Sequence, residues 1–428
     1  MSMHPIALLI CSIFLATLPL PCRGLAAEPA SYPRVTVFRN GQDGYKIFRI
    51  PAVVKAVNGD LLAFCEAREG GDASKIDLVM KRSTDQGRTW SPLQVVQSAD
   101  SFVKYFRGDV PPITVGNPAP VVDRLDERHP GRIHLPFTLE NDRVFICHSD
   151  DHGATWSPPR EITSTTKQKE WGWYATGPVH SIQLERGPHR GRLVVPTDHR
   201  LGADGADHGP NGVHALLSDD HGETWRIGAI DATYEDGLNA NETTVVELND
   251  GRLCFNTRDQ NGAAAGTRGV GYSSDGGETF DNSGDRKYRF FVPAPAVLDP
   301  PVVQCAMLRA ASTLNGDKQN VILFSGPDES GPTGKGRSDL RLRYSLDETR
   351  SWQDGPLLHI GPAAYSDLVQ LSGTVEPNKA SQDNPATDPE RNREFGVLFE
   401  AGAANEKSYT RIDFLHFRLS DVLDAKQP

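Results

Sequence analysis

The chain has 428 residues, with 45 Lys and Arg against 56 Asp and Glu and a formal net charge of −11 at pH 7. Acids and bases are interspersed and no basic run occurs, so nucleic acid is not an expected partner, and any anionic ligand must be met by a local cluster of arginines. The length alone would suggest two or three domains, but a repeat runs through nearly all of it, which predicts one large domain with a large core.

The chain opens "MSMHPIALLICSIFLATLPLPCRGLAAEPA", an apolar run from Ile6 to Leu20 followed by small residues ending at Ala26 and Ala27. That run is short for a bilayer span, and it reads as a cleaved export signal over residues 1–27, leaving a single domain over 28–428 in the periplasm or outside the cell. Cys22 follows Pro21, a poor fit to the small residue that lipid-anchor processing requires. No later segment is apolar enough to cross a membrane. Oligomeric state leaves no mark in the sequence.

Beyond the leader, one motif returns five times: "STDQGRTW" from 83, "SDDHGATW" from 149, "SDDHGETW" from 218, "SSDGGETF" from 273 and a degraded "SLDETRSW" from 345. A second mark keeps step with it, a glycine opening an apolar run at Gly59, Gly131, Gly191, Gly251 and Gly316. The residues leading into each motif alternate, as in "LRLRYS", where Leu340, Leu342 and Tyr344 face one way and Arg341 and Arg343 the other. Several strands per repeat and no comparable helical stretch point to an all-β propeller. The mean spacing of about 65 residues gives six blades. The closing blade should pair the start, "RVTVFRNG", with the final strands "EFGVLFEAG" and "TRIDFLHFRL".

Within S-x-D-x-G-x-T-W the Asp can accept from nearby backbone N–H groups, Gly supplies a backbone angle other residues resist, and Trp packs back on its blade. The motif is therefore a hairpin fastener. One or two carboxylates per copy fall well short of a calcium shell. Cys65, Cys147, Cys254 and Cys305 each lie in an apolar, strand-like run without zinc spacing, and buried free thiols are expected.

Function in a propeller belongs at one mouth of the central channel, where strand ends from different blades converge. Arg68 in "CEAREGGD" stands nine residues past Gly59, Arg258 in "CFNTRDQ" seven past Gly251, and "TDHR" occupies the same place past Gly191. Outside these lie "FRIP" with Arg49, "GRSDL" with Arg337 and "AYSDL" with Tyr365.

With these residues in place the chain resembles the exo-α-sialidases, or neuraminidases, over nearly all of the mature sequence. The ordered set "FRIP", "GGDASKID", "NETTVVEL", "NTR", "GRSDL", "AYSDL" and "GVLFE" carries the resemblance, supported by the repeated Asp boxes. It implies a six-bladed sialidase propeller that needs no cofactor or metal and acts on sialylated glycoproteins, glycolipids or oligosaccharides. It assigns the grip on the sugar carboxylate to Arg49, Arg258 and Arg337, with Arg68 nearby, and makes Glu400 the partner of Arg49. A carboxylate nucleophile would be repelled by a substrate already bearing one, and the resemblance makes the phenol of Tyr365 the nucleophile and Glu242 its base; sialidases with Tyr are a recognised exception to the two-carboxylate rule. Asp72 matches the acid that protonates the leaving oxygen. Asp77 in "KIDLVM" competes with it but begins a strand. Two displacements imply net retention.

Two other functions stay open: a lectin-like propeller that binds sialylated glycans without catalysis, which would need only the arginines, and a trans-sialidase, which would share every residue named. "NET" at 241–243 is formally a glycosylation sequon, although a glycan there would block the pocket. His199, His208 and His214 suggest a solvated loop near the pocket rather than a metal site, and Trp171 and Trp173 could face the sugar or fill the blade. "EPNKASQDNPATDPERNRE" reads as an exposed loop.

Overall fold

In the computed structural model of the chain, residues 32–202, 209–262, 267–334, 336–371 and 388–425 are described. The expected export signal and His208 fall outside them. Each repeat becomes one antiparallel sheet. Blade one consists of Ile47–Lys55, Leu61–Arg68, Ile76–Ser83 and Gln94–Gln97, in spatial as well as chain order. Its second strand is buried at all eight positions because neighbouring blades cover both faces, which is why the sequence there is a near-continuous apolar run. Blades four and five repeat the pattern, starting at Ala240–Glu247 and Ala306–Ala311. Blades two and three have five strands because the innermost strand is split, into Val115–Gly116 and Val121–Val122 and into Trp171–Thr176 and Ile182–Gln183.

The ring closes as expected. Blade six runs Ala363–Gln370, Glu394–Ala401 and Arg411–Arg418, and its outermost strand is the N-terminal Arg34–Arg39, with Arg34 opposite Leu415. Apolar burial divides into six clusters, each filling the seam between two consecutive blades, so every blade is held by both neighbours. Each fully buried Leu, Val or Phe in such a seam contributes roughly 1.5–3 kcal/mol. The four cysteines are free and buried, as expected. Among the described residues no helix is long and apolar enough to cross a membrane.

The five boxes join the third and fourth strands of blades one to five. In blade one Ser83 Oγ accepts from Gly87 N at 2.7 Å, and Asp85 accepts from Thr89 N and Oγ1 at 2.9 and 2.6 Å. The same network recurs in the degraded copy, where Thr349 takes the glycine place at φ 69° and donates to Ser345 Oγ at 2.9 Å. The aromatic residue does more than fold back on its own blade. Trp90 meets Phe414 of blade six, Trp156 meets Phe64 of blade one and Trp225 meets His134 of blade two, at ring separations of 5.4, 5.7 and 6.2 Å. In these copies the fastener also docks its blade on the preceding one. Blades four and five keep the expected contact, Phe280 on Phe255 and Trp352 on Phe324.

The polar stretch before the last strands corrects one expectation. Its described end, from residue 388, is tucked in: Asp388, Glu390 and Arg393 are buried, and Arg393 Nη2 reaches Asp317 Oδ1 at 2.6 Å. Asp388 and Glu390 accept from Lys318, from Nζ at 2.7 Å and from the backbone N at 2.8 Å, links to a distant turn that a composition argument cannot foresee.

Candidate active site

Three inner strands break register near their first residues: between Arg49 and Ala52, between Ala240 and Thr243, and between Ala363 and Ser366. A bulge inserts an unpaired residue, bends the strand and re-aims a side chain. In blade one the cause is local, since Pro51 has no N–H for the ladder and Ile50 adopts φ 63°. Arg49, Glu242 and Tyr365 are each the third residue of their strand, at or within these bulges. The antiparallel second strands end beside them, bringing Arg68, Arg258 and Glu400 to the same rim.

At its centre is Tyr365, 5% exposed, whose hydroxyl donates to Glu242 Oε1. Arg258 Nη1 donates to both members of that pair, to Glu242 Oε2 at 2.7 Å and to the phenol oxygen at 3.2 Å. The guanidinium carbons of Arg49 and Arg337 lie 5.2 and 5.5 Å from the centre of the Tyr365 ring. Glu400, fully buried, accepts from Arg49 Nε at 2.6 Å, Ile50 N at 2.9 Å and Tyr365 N at 3.2 Å, tying the first and last blades together beneath the cluster. Arg337 comes from a loop rather than a strand. Buried Asp339 anchors that loop by accepting from Thr333 and Gly361 N, and the Arg337 carbonyl accepts from Ser408 Oγ at 2.7 Å.

Arg68 and Asp72 form a second group on this rim. Arg68 Nε donates to Glu66 Oε2 at 2.9 Å, and its Nη1 donates to Asp72 Oδ1. The Asp72 side chain is 88% exposed, in the turn that Ser74 closes on the Gly71 carbonyl. Asp77 is the immobile alternative: Tyr45 OH and Ala99 N hold its two oxygens at 2.6 and 2.7 Å.

Electrostatics separates these groups. Burial, reinforced by the Glu242 carboxylate, lifts the Tyr365 phenol well above its ordinary value against the opposing pull of Arg258, Arg337 and Arg49, so the free site holds a neutral phenol. For Asp72, the desolvation imposed by its neighbours pushes upward, but the charge and hydrogen bond of Arg68 and the fields of Arg49 and Arg337 outweigh it, and the carboxyl sits below its usual range. What results is a neutral nucleophile candidate with an adjacent carboxylate, ringed by the guanidiniums of Arg49, Arg258 and Arg337.

Comparison with known proteins decides the family. A family described as "BNR repeat-like domain" matches residues 51–376. Sialidase-2 of Mus musculus is 30% identical over 91% of this chain and 97% of its own length. The chain belongs to the sialidase family. The sialidase of Micromonospora viridifaciens is 30% identical over 83% of the chain. The chain spans only about half of that relative and of the Bacteroides fragilis sialidase, 52% and 56% of their lengths. Among solved structures, a Hadza microbial sialidase superposes with a TM-score of 0.69 at 25% identity, covering 91% of this chain and 69% of that one. Trypanosoma rangeli sialidase, at 18% identity and a TM-score of 0.62 over 92% of this chain and 60% of that one, shares the fold.

Two residues at this sialidase rim escaped sequence reasoning as participants. Glu66, two positions before Arg68 on the same strand face, holds that arginine; the period of two in "CEAR" was the available signal. Asp198 of "TDHR" is fully buried beside Glu242, its Oδ2 accepting from Asn241 Nδ2 at 2.8 Å and its Oδ1 without a hydrogen-bond partner. Burial, then the Glu242 charge, raise it well above the carboxylate range. Asn241 is spent on this bond and on Asn211, so the sequon amide is not available to a glycan.

Other sequence candidates resolve differently. Trp171 is buried with its ring stacked on His199, centroids 3.9 Å apart, and His199 and His214 pair inside blade three at 3.0 Å, so none of the three lines the pocket or forms a solvated loop. Trp173 is partly exposed under the Arg200 guanidinium, 4.5 Å away. A cavity of about 500 Å³ lies at the other end of the channel, walled by the far ends of the same inner strands, including Lys55, Glu247 and Gln370. It contains none of the residues around Tyr365.

Proposed function

We propose that the chain is a retaining exo-α-sialidase that removes terminal α-linked sialic acid with Tyr365 as nucleophile. The supporting observation is the hydrogen bond from the Tyr365 hydroxyl to Glu242, with Arg49, Arg258 and Arg337 grouped around the same ring. A planar carboxylate set between these guanidiniums takes paired, charge-assisted bonds and brings the anomeric carbon that bears it to the phenol oxygen. As that oxygen attacks, its proton passes to Glu242 Oε1, while Arg258 Nη1 stabilises the charge growing on it. The glycosyl-tyrosine is then hydrolysed by water, and inversion at each displacement gives retention.

Asp72 protonates the departing glycosidic oxygen. In the free site it is an ionised partner of Arg68. The substrate carboxylate, once held by the arginines, cancels part of the field that depresses Asp72 and so restores the proton an acid must carry. Arg68 positions the Asp72 loop and adds positive potential for the incoming anion. No step needs a metal or cofactor. With residues 1–27 as an export leader and one propeller domain after it, the substrates are sialylated glycoproteins, glycolipids or oligosaccharides met beyond the cytoplasmic membrane.

The test is hydrolysis of a fluorogenic sialoside. Activity should vanish in Tyr365→Phe and Asp72→Ala with folding intact. Undiminished activity in both variants contradicts the scheme. Binding without turnover in the unmodified protein would indicate a lectin, and sialylated product on adding lactose would indicate transfer.

A further inference from the structure

At the far end of blade two the inner strand stops at Val122 and turns outward through Asp123. Asp123 is fully buried. Its Oδ1 accepts from Leu125 N and Asp126 N, both at 3.0 Å, and from Gln183 Nε2. Its Oδ2 faces Nδ1 of His221 at 2.8 Å. His221 sits in the left-handed position of the blade-three Asp box, at φ 60°, with its side chain 30% exposed. Asp126, 3% exposed, completes the group: Oδ1 accepts from Arg128 N at 2.9 Å and, at 3.4 Å, from the largely exposed Arg128 guanidinium through Nε, while Oδ2 is buried with no hydrogen-bond partner. One ligand atom from each of the three residues lies within 4.8 Å of the others, and among the described residues no other such trio occurs.

The box turn does not require this arrangement. His152 holds the same place in the blade-two copy at φ 58°, and its Nδ1 is buried without a hydrogen-bond partner. The blade-three histidine alone faces two carboxylates. A buried carboxylate oxygen with no donor is costly, and here it lies beside a second carboxylate and an imidazole open to water. A divalent ion answers all three groups at once. Two oxygens and one nitrogen are too few and too mixed for calcium, which takes six to eight oxygens, and lack the thiolates common in closed zinc sites. They suit a borderline first-row ion with water in its remaining positions.

We propose that Asp123, Asp126 and His221 bind one divalent first-row transition ion, Zn²⁺ or Mn²⁺, which pins the Asp box of blade three to blade two. The site is remote from Tyr365 and does not depend on the sialidase chemistry. Because the ion holds residues nearly 100 positions apart in sequence, Asp123 and His221, it binds the folded chain and not the unfolded one, and it stabilises the fold.

The test titrates chelator-treated, full-length protein with ZnCl₂ and with MnCl₂, by calorimetry and by thermal melting. One equivalent should bind saturably, with a rise in Tm of a few degrees. Asp126→Asn, which keeps the acceptor for Arg128 N, and His221→Ala should each weaken binding on the order of tenfold or more. Without metal, Asp126→Asn should melt no lower than the unaltered protein. His148→Ala, a partly exposed histidine outside the group, should bind as before. Absence of saturable binding by either ion, or unchanged binding in both Asp126→Asn and His221→Ala, overturns the proposal.

Discussion

The Tyr365 hydroxyl donates to the Glu242 carboxylate, 123 residues away in sequence, at the rim of the channel, and Arg258 donates to both. Each partner reaches that position from a bulged inner strand of a different blade. Glu242→Gln keeps the shape but cannot take the phenol proton. Its kcat on a fluorogenic sialoside should fall by about 10²–10⁴ with little change in melting temperature.

The free-enzyme pH profile should carry the imprint of Arg68. Asp72 is held below its ordinary value of 3.8, so the protonated fraction needed by a general acid shrinks as pH rises through that depressed value. Removing the cation in Arg68→Gln raises the Asp72 pKa, and the falling limb of kcat/KM should move to higher pH whatever its absolute height. A limb that stays in place would separate Asp72 from the acid role.

Glu400 neutralises Arg49 and fastens two backbone amides in a fully buried setting. Glu400→Ala leaves that guanidinium buried and unpaired, and chemical denaturation should show a loss of about 3–5 kcal/mol.

Asp198 should behave in the opposite sense. Its pKa is raised by burial and by Glu242, so its contribution is favourable at low pH and is lost as pH climbs from the unfolded value, 3.8, toward the folded one. Asp198→Asn keeps the bond to Asn241 without the ionisation. The variant should match the unaltered protein near pH 4 and exceed its Tm progressively toward neutral pH.

Gly87 tests the box as a scaffold. It adopts φ +87°, and an added Cβ would sit 2.3 Å from Cε1 of Phe414 on the preceding blade. Gly87→Ala should destabilise the protein by roughly 1–3 kcal/mol, measured by denaturation, while leaving kcat in the folded fraction unchanged.

Much of this architecture could be read from the chain. The boxes mark one hairpin per blade, and their spacing gave six blades although only five carry a box. The sixth lacks one because its outermost strand, Arg34–Arg39, comes from the other end of the chain. Arg68 and Arg258 could be placed on one rim from their equivalent strand ends, whereas Arg49, Arg337, Tyr365 and Glu400 were assigned through the resemblance to sialidases. What stayed hidden lies between repeats or within irregular backbone. Trp90 packs on blade six, a contact that periodicity inside one blade does not encode. The ionised state of Asp72 depends on where Arg68 points, not on their four-residue spacing. Asp198 went unweighed because a fully buried carboxyl looks, in sequence, like any polar residue at a strand end.

Tyrosine as nucleophile can be tested by trapping. A sialosyl fluoride bearing a second fluorine next to the anomeric carbon slows hydrolysis of the glycosyl-enzyme more than its formation. Mass spectrometry of the digested protein should then find one added sialosyl group on the peptide containing Tyr365, and none in Tyr365→Phe. An adduct on a carboxylate such as Glu242 or Asp72 would contradict the mechanism, as would turnover of a fluorogenic sialoside that persists in Tyr365→Phe.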